Sequence, residues 1–437
     1  MRYGPLGIIL ICAFLVLLLP AKAFAHSSVL TEIPMPNSIL ASSPPVIKLT
    51  FNERLEKELF SIKVMDSQGK SVTSAKTQMS LTQRELNLTL PPLNDGVYTV
   101  DYKVISADGH PIEADYTFTI GNASRASSGI NGTDANSESN LSSNSKHFNT
   151  LLYLGRFLFY ASLLGLCGWI FWTLAYRPIA QDLVNFNRKI TLVLQIGFLF
   201  SLLLMIFTQL QAIADQWSFT TVKSVLLGTT LGYSWFASLG LSIIGFIFLS
   251  RSRIFDGLWV VLLLTAKVGN GHAMSFENHI GMAALNVVHL FAAAIWVGGL
   301  LYIIAHWRKF HDYTIKFLPQ FSKYALLSML LLTVSGTLYT LIILPKIEYL
   351  FETQWGILLC TKIGLMLLVF AVGGMLRYYM KRKKSISIKQ LVRIDISLML
   401  LILLIVSIFT YLNPLPDNLA LQKQAMESQS NHEMMLK

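Results

Sequence analysis

Ser106-Ala107-Asp108-Gly109-His110-Pro111 separates two runs of alternating side chains, and its reading decides how the first part of the chain folds. Before it, residues 97–105 alternate apolar with polar side chains; after it, Tyr116-Thr117-Phe118-Thr119-Ile120 does the same. A period of two is that of a half-buried strand and Asp-Gly is turn chemistry, so the stretch reads as a turn leaving a long strand. Upstream, Val46-Ile47-Lys48-Leu49-Thr50-Phe51, Phe60-Ser61-Ile62-Lys63-Val64 and Glu85-Leu86-Asn87-Leu88-Thr89-Leu90 repeat the pattern. Turn residues stand between them at Asp66-Ser67-Gln68-Gly69, Pro91-Pro92 and Asn94-Asp95-Gly96. Strands this short at this spacing predict an all-β, Ig-like sandwich over residues 26–121.

The lower bound of that domain comes from the start of the chain. Arg2, an apolar core over residues 6–19 and small residues at Ala23 and Ala25 form a secretory signal peptide, residues 1–25. Cleavage after Ala25 leaves His26 first, with a free amine and an imidazole on one residue. Residues 122–147 are rich in Ser, Asn and Gly and nearly devoid of large apolar side chains, so they read as a flexible linker.

Hydrophobic residues make up 53% of the whole chain and charged ones 14%, proportions of a chain that lies mostly in lipid. Eight apolar segments near 149–175, 190–212, 233–250, 257–273, 280–304, 324–345, 355–379 and 391–412 predict an all-α bundle of eight transmembrane helices within 148–412. A polar tail, 413–437, follows. The stretch 220–232 is apolar but short, with Gly228 and Gly232, and is expected at the outer interface. Lys and Arg concentrate in alternate loops, Lys381-Arg382-Lys383-Lys384 among them, which places both mature termini outside a plasma membrane. The net charge of +11 therefore reflects membrane topology and not nucleic-acid binding. Cys12 falls in the signal peptide and Cys167 and Cys360 in spans, so the exported domain has no disulfide and no Cys-pair metal site.

A metal outside the membrane would fall to His, carboxylate, amine or Met. Asp108 and His110 stand two apart on an extended segment relaxed by Gly109, so both side chains can reach one side. The amine and ring of His26 and the ring of His110 supply three nitrogens, and Asp108 adds an oxygen as ligand or as orienter of a ligand. That set suits Cu(II) and, less well, Ni(II); zinc usually recruits a more tetrahedral one. The plainer alternatives stay open at this point: His26 as the residue where the peptidase stopped, and Asp108 as a cap on its own turn.

In the membrane half, His272, Met274 and His279 flank the outer loop between the fourth and fifth spans. His279, Met282, Asn286 and His289 form one stripe of the fifth helix, with His289 about 15 Å below His279 at 1.5 Å per residue. Such a stripe is costly in lipid unless it faces the bundle interior or a water-filled cavity. A metal or proton path is the functional reading, and a packed, hydrogen-bonded histidine the structural one. Arg156, Lys267 and Lys362, in the outer halves of spans, read as structural cations that snorkel or are held by helix-end carbonyls. Cys167, Cys360 and Met205 are soft enough for Cu(I), yet isolated Met and Cys are ordinary core residues of membrane helices.

His26-Ser27-Ser28-Val29-Leu30, Thr50-Phe51-Asn52-Glu53, Gly96-Val97-Tyr98-Thr99-Val100 and the 106–111 turn resemble the CopC copper-binding domain throughout 26–121. The resemblance implies a Cu(II) site at His26, Asp108 and His110. Met35, Met65 and Met79 are scattered, so the Met-rich Cu(I) loop of some members is not expected, and Tyr102 stands where the family often has Trp. Gly271-His272-Ala273, His289 with Trp296-Val297-Gly298-Gly299, Phe321-Ser322, Ser335-Gly336 and Trp355-Gly356 with Lys362 resemble the CopD membrane copper proteins over roughly 150–412. The whole resembles the CopC–CopD fusions of Gram-positive bacilli, the YcnJ type, which the family associates with copper uptake. The implied function is capture of Cu(II) outside and passage past His272, His279, Met282 and His289, with Cu(I) a further form in the membrane domain. Copper, membrane lipid and an extracellular copper donor protein are the implied partners. No Walker-type loop appears, so a transporter without nucleotide, and not an enzyme, is expected. The rivals are copper export or resistance, a haem-binding electron carrier or copper reductase with axial histidines, and a sensor anchored by the bundle.

Overall fold

The computed structural model describes residues 29–107, 109, 111–121, 138–177, 180–213, 218–269, 271, 279–344, 346–382, 385–410 and 412, with backbone alone at 138–149, 279 and 385–387. Eight strands come first: β1 (Val29–Ile33), β2 (Ile39–Leu40), β3 (Val46–Phe51), β4 (Ser61–Met65), β5 (Gln78–Met79), β6 (Glu85–Thr89), β7 (Gly96–Ile105) and β8 (Pro111–Ile120). They pair into two four-stranded sheets, β1-β3-β6-β5 and β2-β8-β7-β4. In one sheet Ile47 lies opposite Leu88 and Leu49 opposite Leu86; in the other Tyr98 lies opposite Phe118 and Val100 opposite Tyr116. Because strand side chains alternate, each sheet turns one such set inward. Ile47, Leu49, Phe51, Val64, Leu86, Leu88, Val100, Val104 and Phe118 close the core, each nearly inaccessible to solvent. Tyr102 is buried there too, edge-on to Phe51.

Strand β8 starts at Pro111, five residues before the alternation is visible, because a proline with no N–H to offer is tolerated as the first residue of a strand. The expected sandwich is present.

Ten helices follow among the described residues: α1 (Glu138–Ala175), α2 (Gln181–Ile213), α3 (Phe219–Gly228), α4 (Thr230–Phe248), α5 (Arg253–Val268), α6 (His279–Trp307), α7 (His311–Ile343), α8 (Tyr349–Glu352), α9 (Gln354–Lys381) and α10 (Ser385–Phe409). Seven, all except α3, α5 and α8, are long and apolar enough to cross a membrane. The fourth expected span is α5, of 16 residues. At 1.5 Å per residue that is about 24 Å, short of a hydrocarbon core of about 30 Å. Helix α1 opens at Glu138, inside the stretch read as a linker, so only 122–137 of that stretch remain outside the described residues.

Helices α1 and α6 pack backbone to backbone. A side chain at Gly168 would collide with the Ala294 carbonyl, and one at Gly298 with the backbone of Gly168. Small residues at a crossing allow this approach in lipid, where packing replaces the hydrophobic effect. Gly299 leaves room in the same way for Phe321 and the Trp172 indole. The indole N–H of Trp172 donates to the Ile295 carbonyl at 2.8 Å.

Candidate functional site

The β3–β4 loop, 52–60, and the β7–β8 turn, 106–110, meet at one end of the sandwich. Leu55 bridges Ser106, the Glu56 N–H donates to the Ile105 carbonyl at 2.8 Å, and the Ala107 N–H to the Arg54 carbonyl at 2.9 Å. The Ser106 hydroxyl donates to a Glu53 carboxylate oxygen at 3.0 Å. Gly109 closes the turn at φ +87°, a left-handed conformation natural to glycine, with its N–H on the Ser106 carbonyl at 2.8 Å. The turn is thus fixed by two long strands behind it. His26, Asp108, His110 and His272 lie outside the described residues, and His279 contributes only backbone at the start of α6.

This end of the sandwich rests on the bundle. Ile105, the last residue of β7, belongs to the bundle's apolar cluster, and Leu59 packs against the same cluster. Glu56 is 3% exposed. Its carboxylate accepts from the Thr230 N–H at 3.0 and 3.2 Å, from the Leu231 N–H at 3.4 Å and from the Thr230 hydroxyl at 3.4 Å. These are first-turn amides of α4, which helix geometry leaves unpaired and which carry the positive end of the dipole. The next, Gly232 N–H, donates to the Thr229 hydroxyl at 3.0 Å. Alongside, a Cβ placed on Gly109 would sit 3.0 Å from Leu231 Cδ1 and 3.3 Å from Gln209 Nε2. Gln209 is 3% exposed, and its Oε1 has no hydrogen-bond partner among the described residues.

Within the bundle, Met282 is buried in a cluster with Val268, Ile343, Trp355 and Leu359. Asn286 and His289, further along the same helix, are partly buried. His289 Nδ1 lies 2.9 Å from the Ser335 hydroxyl on α7. That hydroxyl also reaches the Leu331 carbonyl of its own helix; with its proton donated there it accepts from the imidazole, an assignment that puts the ring proton on Nδ1 and the lone pair on Nε2. A neutral imidazole held by a second group is the form in which histidine binds metal. Gly336 keeps the ring's flank open, since a Cβ there would lie 3.5 Å from His289 Cε1. Among the described residues no three His, Cys, Asp or Glu side chains are grouped for a metal.

The structural reading of the three intramembrane cations gains support. Arg156 Nη2 donates to the carbonyl and hydroxyl of Thr410, just past the end of α10, at 3.2 and 3.1 Å. Lys267 lies 5.5 Å from the centre of the Tyr160 ring and Lys362 5.7 Å from that of Phe409. Cys167 and Met205 are buried members of the apolar core. One polar cluster and one buried acid were not expected. His306, fully buried, contacts the Tyr302 carbonyl and the Asn187 side chain at 2.8 Å each, and Tyr302 continues to Tyr313 at 2.9 Å. His306 lies past the apolar segment expected to end near 304, on the last turn of α6, which extends to Trp307. Asp395 is a buried carboxylate in α10; a lone acid inside an apolar span was the available signal.

Comparison with known proteins fits this architecture. Residues 29–121 match the CopC domain model, and residues 315–409 the model for copper resistance protein D, CopD. The chain is 28% identical to copper transport protein CutJ of Bacillus subtilis (strain 168), over 94% of this chain and 78% of that one. It is 31% identical to copper resistance protein C of Escherichia coli, over 23% of this chain and 84% of that one. The crystal structure of CopC from Methylosinus trichosporium OB3b matches at 36% identity over 22% of this chain and 93% of that one, with a TM-score of 0.21. With a CopC domain and a CopD domain joined in one polypeptide, the chain belongs to the CopC–CopD fusion proteins.

Proposed function

We propose that the chain is a plasma-membrane copper transport protein, not an enzyme, whose sandwich lies outside the cell and binds Cu(II) as cargo. Signal-peptide cleavage gives His26 a free amine, and His26, Asp108 and His110 hold the ion. Copper then enters the bundle at His272 and His279 and passes Met282 and His289 towards the cytoplasm. The thioether of Met282 also accepts Cu(I). The observation that carries the bundle half of this reading is His289: its Ser335 bond leaves Nε2 as the lone-pair nitrogen inside the helical core. The joining of a CopC to a CopD domain and the name of the CutJ relative, a copper transport protein, support copper as the cargo.

Radioactive copper entry in a deletion strain carrying either the native chain or His289→Ala tests the reading. Uptake restored by the native chain and not by the variant is expected. Equal restoration by both removes His289 from the route, and a deletion strain that accumulates more copper than its parent reverses the direction to export.

A further inference from the structure

The copper turn and the membrane bundle are not two modules left to meet by diffusion. Glu56 is a carboxylate taken almost wholly out of water, and it accepts from two backbone amides and a hydroxyl at the start of α4. A buried carboxylate is stable only while such donors stay with it, and those amides have no partner within their own helix. Either side of the contact, taken alone, would expose groups built to be covered. The fit extends beyond Glu56. Glu58 lies so close over Gly228, at the end of α3, that a Cβ at Gly228 would overlap its side chain. Leu59 and Ile105 add apolar cover.

The same contact sets Gly109, between the two proposed ligands Asp108 and His110, against Leu231 and Gln209 of the bundle. Ser234, one turn along α4 from Thr230, donates to the Ala266 carbonyl at 2.6 Å, near the end of α5.

We infer that Glu56 is a docking residue that seats the copper turn on the bundle. This inference rests on the copper-transport reading above and adds the residue that holds the two domains together for the hand-over.

The test uses the full chain in membranes. Cysteines at Glu58→Cys and Gly228→Cys, in a background with Cys167→Ser and Cys360→Ser, report docking as a disulfide formed by diamide. Spin resonance of added Cu(II) reports the sandwich site, and radioactive copper entry reports transport. With Glu56 native, the disulfide is expected to form; Glu56→Ala should lower both its yield and copper entry about tenfold or more, as the effective concentration of donor at acceptor falls. The Cu(II) signal should stay unchanged, and Glu56→Gln, which keeps an acceptor oxygen, should restore much of both. Full copper entry in Glu56→Ala despite loss of the disulfide overturns the docking role, as does failure of the disulfide to form with Glu56 native. A native chain that binds no Cu(II) while the disulfide still forms would defeat the copper site instead and leave the docked arrangement standing.

Discussion

Replacing Ser335 by alanine should weaken copper passage without unfolding the bundle. The Ser335 hydroxyl lies 2.9 Å from His289 Nδ1 and, assigned as the acceptor of that contact, fixes which ring nitrogen carries the lone pair. Alanine fits the same space but leaves that N–H unpaired in a largely apolar setting, a cost of about 1–3 kcal/mol. At about 1.4 kcal/mol per tenfold change, that corresponds to roughly one to two powers of ten in affinity. Loss of a group that orients a metal-binding histidine typically costs about 10- to 100-fold, the same range. The assay is the initial rate of radioactive copper entry against copper concentration in a deletion strain, at matched protein levels. The half-saturating concentration should rise by that factor in Ser335→Ala and stay near native in Ser335→Thr, which keeps the hydroxyl. Native half-saturation in Ser335→Ala would refute the role given to His289 Nε2.

Further outcomes can be checked on stability. Gly168→Val places a branched side chain where the Ala294 carbonyl stands, so the full chain in detergent should lose at least about 1–3 kcal/mol of stability, read as a lower thermal midpoint; an unchanged midpoint contradicts the close helix contact. Phe118→Ala removes a fully buried ring stacked 5.5 Å from Tyr98, and should cost the sandwich about 3–5 kcal/mol, seen as rapid proteolysis of the ectodomain. Burial raises the Glu32 carboxyl above the ordinary carboxylate range, with a hydrogen bond from Tyr102 opposing in part. A raised native value makes folding bind a proton, so its contribution is full below the unfolded pKa of about 4 and is lost as pH climbs through the native value. Glu32→Gln should therefore gain stability relative to the native chain at neutral pH more than near pH 4, and parallel pH profiles would contradict this.

The alternation in Val46–Phe51 and Gly96–Ile105 made the sandwich legible, because burial of one face imposes a period that the residues must follow. Strands β2 and β5 are two residues long and β1 turns only Val29 fully inward, so none carried a readable period. Seven of the eight expected spans were legible from hydropathy alone, and the tight α1–α6 crossing was visible only as Gly298-Gly299. What could not be read were pairings of residues far apart in the chain. Glu56 meets Thr230 across 174 positions and His306 meets Asn187 across 119, and nothing local marks either. In sequence, Glu56-Lys57-Glu58 looks like a solvated charge run, since only the docked fold shows which carboxylate faces the helix start. The ligand set at His26, Asp108 and His110 was proposed from residue chemistry and family resemblance, and it lies outside the described residues.

The most direct measurement is a Cu(II) titration of the mature chain beginning at His26 beside one carrying a single extra alanine ahead of it. If the amine exposed by processing is a copper ligand, the extended chain binds weaker by orders of magnitude and its Cu(II) spectrum loses a nitrogen. Equal affinity with an identical spectrum would mean that the cupric ion is held elsewhere.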